Sequence, residues 1–184
     1  MKVFSSVNDP AVAAILKTGG IGVLRTDTLY GVVARSDDEA AVHRVYELKG
    51  RDDDKSPIVL INSPEQIYDK LEPAHRTYLD QVWPGPVSVI VPSALAPSWI
   101  SRANASVAYR LPSNQALRTL IRITGPLIAP SANPQGMPPA VNVDEAQAYF
   151  GDGVDFYVDE GTVDNPTPSQ IIQLTPDGET IRLR

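Results

Sequence analysis

An α/β or α+β domain, with helices packed on a sheet of mixed strand direction, is what this sequence predicts. Apolar runs of about five residues, the ordinary length of a strand, alternate with segments of helical periodicity. Several connections are too short for parallel crossovers, so the strands cannot all run one way. The 17 prolines fall mainly between these segments rather than inside them. With 184 residues and 42% hydrophobic content, the chain can bury one sizeable core but is short for two, so residues 1–184 read as a single domain.

The elements follow in order. Asp9 and Pro10 read as an N-cap and first helical residue, and Val12, Ala13, Ile15 and Leu16 carry that helix to a stop at Gly19-Gly20. Residues 21–24 form a short strand, and residues 25–31 a polar segment leaving its end. Ser36-Asp37-Asp38-Glu39 has the form of a capping box, opening a helix through Val42, Val45, Tyr46 and Leu48, with Gly50 as its stop. Residues 57–61 read as a buried strand, 64–71 and 73–82 as helices, and 87–91 as a strand. A strand over 106–111, a helix over 113–123, a strand over 126–129 and a helix over 143–150 come next, with tail strands over 155–158, 170–174 and 180–183. The stretch 134–143, rich in proline, glycine and small residues, reads as a mobile loop.

Composition excludes several classes of function. The chain has no cysteine and two histidines, which removes disulfide frameworks, thiolate metal sites and histidine-rich clusters. The first twenty residues lack the basic start and apolar run of a signal peptide, and no stretch reaches the length of a membrane span, so a soluble, cytoplasmic protein with no membrane partner is expected. A net charge of -6 argues against coating nucleic acid with a broadly basic face. Any phosphate site must then be a local concentration of Lys and Arg.

Four groups have the chemistry for a site. Lys49-Gly50-Arg51, with Lys55 beyond three aspartates, places cations at a helix end where they reach a polyanion together; by itself the pattern equally complements the negative end of that helix. Ser131-Ala132-Asn133 follows an apolar strand, and in extended backbone its hydroxyl and amide project to one side, although the same residues also build turns. In residues 26–31, two threonines flank Asp27 at a strand end and Gly31 permits close backbone approach, with an N-cap turn as the other reading. Arg110 lies within the apolar strand Val107-Ala108-Tyr109-Arg110-Leu111, where it must find a carboxylate, a phosphate or solvent. No covalent nucleophile, Walker phosphate loop or dinucleotide glycine fingerprint is present. His43 and His75 read as surface or interface side chains, Trp83 and Trp99 as core or rim packing.

Taken in order, Thr26-Asp27-Thr28-Leu29-Tyr30-Gly31, Lys49-Gly50-Arg51 with Lys55, Trp83-Pro84-Gly85-Pro86, Val107-Ala108-Tyr109-Arg110 and Ser131-Ala132-Asn133 closely resemble the YrdC/TsaC family in its short form. That resemblance implies a YrdC-like twisted mixed sheet with flanking helices and a concave ligand-binding face. It implies synthesis of L-threonylcarbamoyl-adenylate and pyrophosphate from L-threonine, bicarbonate and ATP, with Mg²⁺ on the triphosphate. Downstream proteins would transfer the threonylcarbamoyl group to tRNA. Carried over by position, Thr28, Leu60, Arg110, Ser131 and Ser169 would surround threonine. Lys49, Arg51, Lys55, Ser106, Asn133, Val141 and Arg182 would surround ATP, with Lys49, Arg51, Ser131 and Asn133 taking the catalytic roles. No metal-ligating side chain is assigned.

The chain departs from the family pattern at Arg25, where proline is usual, at Val141, which replaces a more polar residue, and at Glu160, where glycine is common. Two other functions compete. One is a non-catalytic module binding double-stranded RNA, which the acidic balance disfavours. The other is a carbamoyl-transfer domain of hydrogenase-maturation type, which works with cysteine-rich modules that this chain lacks.

Overall fold

A computed structural model describes residues 2–50, 55–175 and 179–184. In chain order it comprises β1 (Lys2–Phe4), α1 (Pro10–Lys17), β2 (Gly22–Arg25), β3 (Tyr30–Arg35), α2 (Glu39–Lys49), β4 (Ile58–Leu60), α3 (Pro73–Val82) and β5 (Val87–Pro92). There follow α4 (Ser98–Ser101), β6 (Ser106–Arg110), α5 (Gln115–Thr124), β7 (Leu127–Ile128), α6 (Val143–Phe150), β8 (Phe156–Val158), β9 (Gln170–Leu174) and β10 (Thr180–Arg182). The strands join in the order β1-β8-β2-β3-β7-β4-β6-β5-β9-β10. Parallel pairs such as β4–β6 and β5–β9 alternate with antiparallel ones such as β2–β3 and β5–β6, so the sheet is mixed as expected.

Local signals explain the helices. Asp9 accepts the Ala11 N–H at the start of α1, Asp38 the Ala41 N–H at the start of α2, and Asn114 the Leu117 N–H at the start of α5. Gly50 closes α2 at φ 58°, a left-handed conformation that glycine reaches at no steric cost.

Strand parity then divides the interior. Val23, Val32, Val59, Val107 and Tyr109 point into a core on one face, with α2 and α6 packed there. Leu24, Val33 and Leu60 point to the other, where Leu16 of α1 and Leu117, Leu120 and Ile121 of α5 cover them. On that second face, Ser106, Ala108 and Arg110 of β6, Ile90 of β5, and Ile171 and Gln173 of β9 line a cleft instead of a core.

The short elements β1 and α4 have no counterpart in the sequence expectation, and three larger features differ from it. Residues 64–71 do not form a helix: only a single turn, Pro64–Gln66, is helical, of the 3₁₀ kind. One local and three long-range hydrogen bonds win there. Gln66 accepts the Asn62 N–H at 2.7 Å, Tyr68 donates its N–H to the Tyr109 hydroxyl at 3.2 Å, and Asp69 accepts the N–H groups of Ala94 and Leu95 beyond β5. The second is β3, hidden in sequence by the polar residues before it, although Tyr30, Val32, Val33 and Ala34 are fully buried. The third is His75, which is buried, with Nε2 placed 2.9 Å from the Thr175 carbonyl oxygen. Trp83 and Trp99 pack against the core as expected, donating their indole N–H groups to the carbonyls of Val87 and Ser36. No helix among the described residues is long and apolar enough to cross a membrane.

Candidate active site

The cleft has a volume of about 670 Å³ and gathers residues from seven separated segments of chain. Thr26 and Thr28 come from the β2–β3 connection and Gly31 from β3 after it, Lys55 from before β4, Ile90 from β5, Ser106 and Arg110 from β6, Ser131 from beyond β7, Ser169 from just before β9, and Arg184 from beyond β10. Its cationic side chains are Lys55, Arg110 and Arg184, and no carboxylate lines the described wall. An acidic chain therefore carries a locally positive cleft, the arrangement its net charge of -6 required of any phosphate site.

Gly31 and Ser131 meet through a backbone bridge across β3. A Cβ at Gly31 would stand 3.3 Å from the Pro130 carbonyl oxygen, so a side chain there would press on the segment leading to Ser131. Ala132 donates its N–H to the Tyr30 carbonyl at 2.8 Å, and Val32 donates to the Pro130 carbonyl at 2.9 Å. Within this frame the Ser131 hydroxyl donates to Asn133 Oδ1 at 2.6 Å. Asn133 Nδ2 in turn donates to the carbonyls of Pro134 and Met137. Residues 134–143, expected as a mobile loop, fold back through a bond from the Ala140 N–H to the Ala132 carbonyl and place Pro139 on the cleft wall.

Lys49 lies behind that wall. It is 4% exposed at the end of α2, and its ammonium donates to the carbonyl oxygens of both Ser131 and Asn133, while its own carbonyl accepts the Gln135 N–H at 2.8 Å. The described contacts thus make it a brace for the Ser-Ala-Asn segment.

Arg110 is 3% exposed. Its Nη2 donates to the Thr26 hydroxyl at 3.2 Å and stands 3.2 Å from Asp27 Oδ1, while its Nε has no hydrogen-bond partner. Burial pushes the guanidinium below its ordinary pKa; Asp27 opposes that shift and Arg184 adds to it. Thr26 is the hub of this corner, since its hydroxyl also donates to the Leu29 carbonyl at 2.7 Å and accepts the N–H groups of Thr28 and Leu29.

Of the residues assigned from sequence, Thr28, Lys55, Ser106, Arg110, Ser131 and Ser169 share the cleft. Arg51 lies outside the described residues. Val141 is partly buried against the core, its N–H donating to Glu145, and it does not line the wall. Arg182 is corrected by parity: it pairs with Ile172, whose side chain points away from Ile171 and Gln173, the β9 residues of the cleft. Arg184 lines the cleft instead, with Nε donating to the Ser169 carbonyl at 3.0 Å. Alternation groups Arg182 with Arg184 in sequence, and only the end of β10 at Arg182 separates them.

Leu60 is also corrected. It shares the face of Arg110, its register partner, but is fully buried in the cluster with Leu117 and Leu120, whereas Ile58 reaches the cleft. Leu60→Ala is expected to cost about 2–5 kcal/mol of stability, as a cavity under α5, while leaving the Michaelis constants for any substrate of the cleft within about threefold. Urea denaturation alongside steady-state kinetics checks this, and a selective rise in one Michaelis constant at unchanged stability would return Leu60 to the pocket.

Arg25 and Glu160 meet away from the main cleft. The Arg25 guanidinium donates to the Glu160 carbonyl at 3.0 Å, and both line a second, more open recess with Ser5, Asp27, Ser113 and Asn114. The added cation therefore does not widen the main cleft. Among the described residues no His, Asp and Glu side chains group as a metal site.

A mixed sheet that opens, on one face, a cleft whose described wall carries cations and no carboxylate defines an α/β protein with a site suited to a small anionic ligand. The profile of the Sua5/YciO/YrdC family, described as telomere recombination, matches residues 14–184, and the chain belongs to this family. A threonylcarbamoyl-AMP synthase of Cellvibrio japonicus is 36% identical over 92% of this chain and 92% of its own length. A relative of the same name from Pseudomonas aeruginosa is 32% identical over 98% of this chain and 99% of its own. Among solved structures, P. abyssi Sua5 complexed with L-threonine superposes with a TM-score of 0.90 at 27% identity, over all of this chain. The chain spans 57% of that longer protein.

Proposed function

We propose that this chain is a threonylcarbamoyl-AMP synthase, combining L-threonine, bicarbonate and ATP into L-threonylcarbamoyl-adenylate and pyrophosphate. The observation that carries the reading is the cleft wall itself, which has a buried arginine, further cations and ordered hydroxyls and, among the described residues, no carboxylate. Such a wall favours a ligand bearing one carboxylate and several phosphates. The names of the bacterial relatives, matched over nearly their whole length, support the same activity.

In this reading Arg110 receives the threonine carboxylate, with Thr28, Ser131 and Ser169 around the rest of the amino acid. Lys55 and Ser106 face the nucleotide phosphates, joined by Arg184 in place of Arg182, and the family resemblance assigns Arg51 to the same phosphates. Lys49 and Asn133 keep Ser131 in place. Threonine nitrogen and bicarbonate give a carbamate with loss of water. A carbamate oxygen then attacks the α-phosphorus, and the bond to the departing pyrophosphate breaks in line. The carbamate is already a nucleophile, so the protein supplies proximity and charge stabilisation without a covalent intermediate. Mg²⁺ would enter as part of MgATP, held by phosphate oxygens, since the described wall offers it no carboxylate. Transfer to tRNA would fall to partner proteins in the cytoplasm. The double-stranded RNA-binding module is not favoured, because the matched relatives are named for the synthase.

Purified protein given threonine, bicarbonate, ATP and Mg²⁺ is expected to release pyrophosphate only when all four are present. Release that does not depend on threonine, or no release at all, would sink the proposal.

A further inference from the structure

The most buried charges of the site are a cation and an anion that the sequence places far apart. Arg110 on β6 and Asp27 in the β2–β3 connection have side chains each 4% exposed and approach to 3.2 Å. Taking both from water costs several kcal/mol per ion in real proteins, so the pair persists only if the geometry serves some further end. The hydrogen bonds around it are lopsided. Asp27 Oδ2 is engaged by the start of α5, 3.2 Å from the Ser113 N–H and 3.5 Å from its hydroxyl. Asp27 Oδ1 has no hydrogen bond although it lies next to Nη2. Arg110 likewise spends Nη2 on Thr26 and leaves Nε without a partner. A structural ion pair would be expected to saturate itself with a two-pronged contact, which the guanidinium fork allows. This one does not.

We infer that Asp27 is a positioning residue: anchored to the start of α5 through Ser113, it holds the buried Arg110 guanidinium from behind so that its remaining donors face the amino-acid carboxylate in the cleft. The inference rests on the proposed function and adds a residue to it. Asp27 lines the recess behind the cleft and not the cleft wall, so it does not touch the substrate itself. Its charge also opposes the repulsion that Arg184 exerts on Arg110 from the cleft side, which keeps two guanidiniums compatible in one site. Were Asp27 only a neutralising counter-ion, it would compete with the substrate carboxylate, and removing its charge would tighten threonine binding. Positioning predicts the opposite sign. An asparagine keeps the shape and an acceptor for Ser113 but offers no negative charge, and its amide N–H₂ turned toward the guanidinium would set donor against donor.

The test compares Asp27→Asn, Asp27→Ser and Asp27→Glu with the wild type in threonine-dependent pyrophosphate release, varying threonine and ATP separately and recording melting temperatures. For Asn and Ser, the KM for threonine is expected to rise about tenfold, with kcat and the KM for ATP within about threefold, and Glu should restore most of the loss. An unchanged or lowered threonine KM overturns the inference, as does a parallel loss in kcat and both KM values, failure of Glu to restore, or loss of the fold in both uncharged variants. The wild type separates the two levels. Absent threonine dependence there removes the proposed function and this inference with it, whereas a normal wild type with an unaltered Asp27→Asn removes the inference alone.

Discussion

Arg110→Ala is expected to lower kcat/KM for threonine by about a hundredfold or more, since truncating one partner of a buried, hydrogen-bonded charge pair costs on the order of 2–5 kcal/mol in binding. In the free protein the guanidinium is 3% exposed, so an arriving carboxylate meets a group already largely stripped of water. Lysine should not rescue the loss, because a compact ammonium cannot reproduce a planar fork. The substitution also leaves Asp27 buried without its cation, and about 3 kcal/mol of stability should go with it. The two effects separate in the double variant Arg110→Met with Asp27→Asn, which is expected to regain stability while remaining inactive. Steady-state kinetics and denaturant titration of the three proteins check this. A threonine KM unchanged in Arg110→Ala would remove Arg110 from amino-acid recognition.

Lys49→Met should be the second severe change, although Lys49 lies behind the cleft wall. Its ammonium donates to the carbonyls of Ser131 and Asn133, and methionine keeps much of the stem while removing those donors. Stability is expected to fall by about 2–3 kcal/mol, the scale of leaving buried acceptors unsatisfied. Activity should fall about a hundredfold, because a displacement of about 1 Å in a positioning segment is enough for that. The loss should appear for threonine and ATP together, since Ser131 and Asn133 move as one unit. Were Lys49 instead a direct phosphate contact, the KM for ATP would rise alone. Kinetics with each substrate varied in turn distinguishes the two.

The helices were readable because their signals are local. The caps Asp9, Asp38 and Asn114 and the stop at Gly50 lie within a turn of the backbone groups they satisfy. Residues 170–174 and 143–150 matched their observed elements for the same reason, a clear periodicity with clean flanks. Residues 64–71 failed because helical periodicity there competes with bonds to Tyr109 and to the loop after β5, both distant in sequence. β1 carries little sequence signal, since it is an exposed edge of three residues paired, among the described residues, to β8.

For the site, the residue types carried the motif set from Thr26 to Asn133, and of the residues assigned with it Thr28, Lys55, Ser106, Arg110, Ser131 and Ser169 meet in one cleft. Sequence alone establishes which donors and cations the protein possesses and roughly which strand ends carry them, since propensity and charge belong to individual residues. It could not decide direction. Whether Leu60 or Ile58 meets the ligand depends on where α5 covers the sheet, and whether Arg182 or Arg184 does depends on where β10 ends. The contacts of Lys49 with the Ser131 and Asn133 carbonyls, and of Asp27 with Arg110, arise only when segments remote in the chain are packed together. An ionic group's role is fixed by which partner lies within about 3 Å of it, and that distance is set by tertiary packing alone.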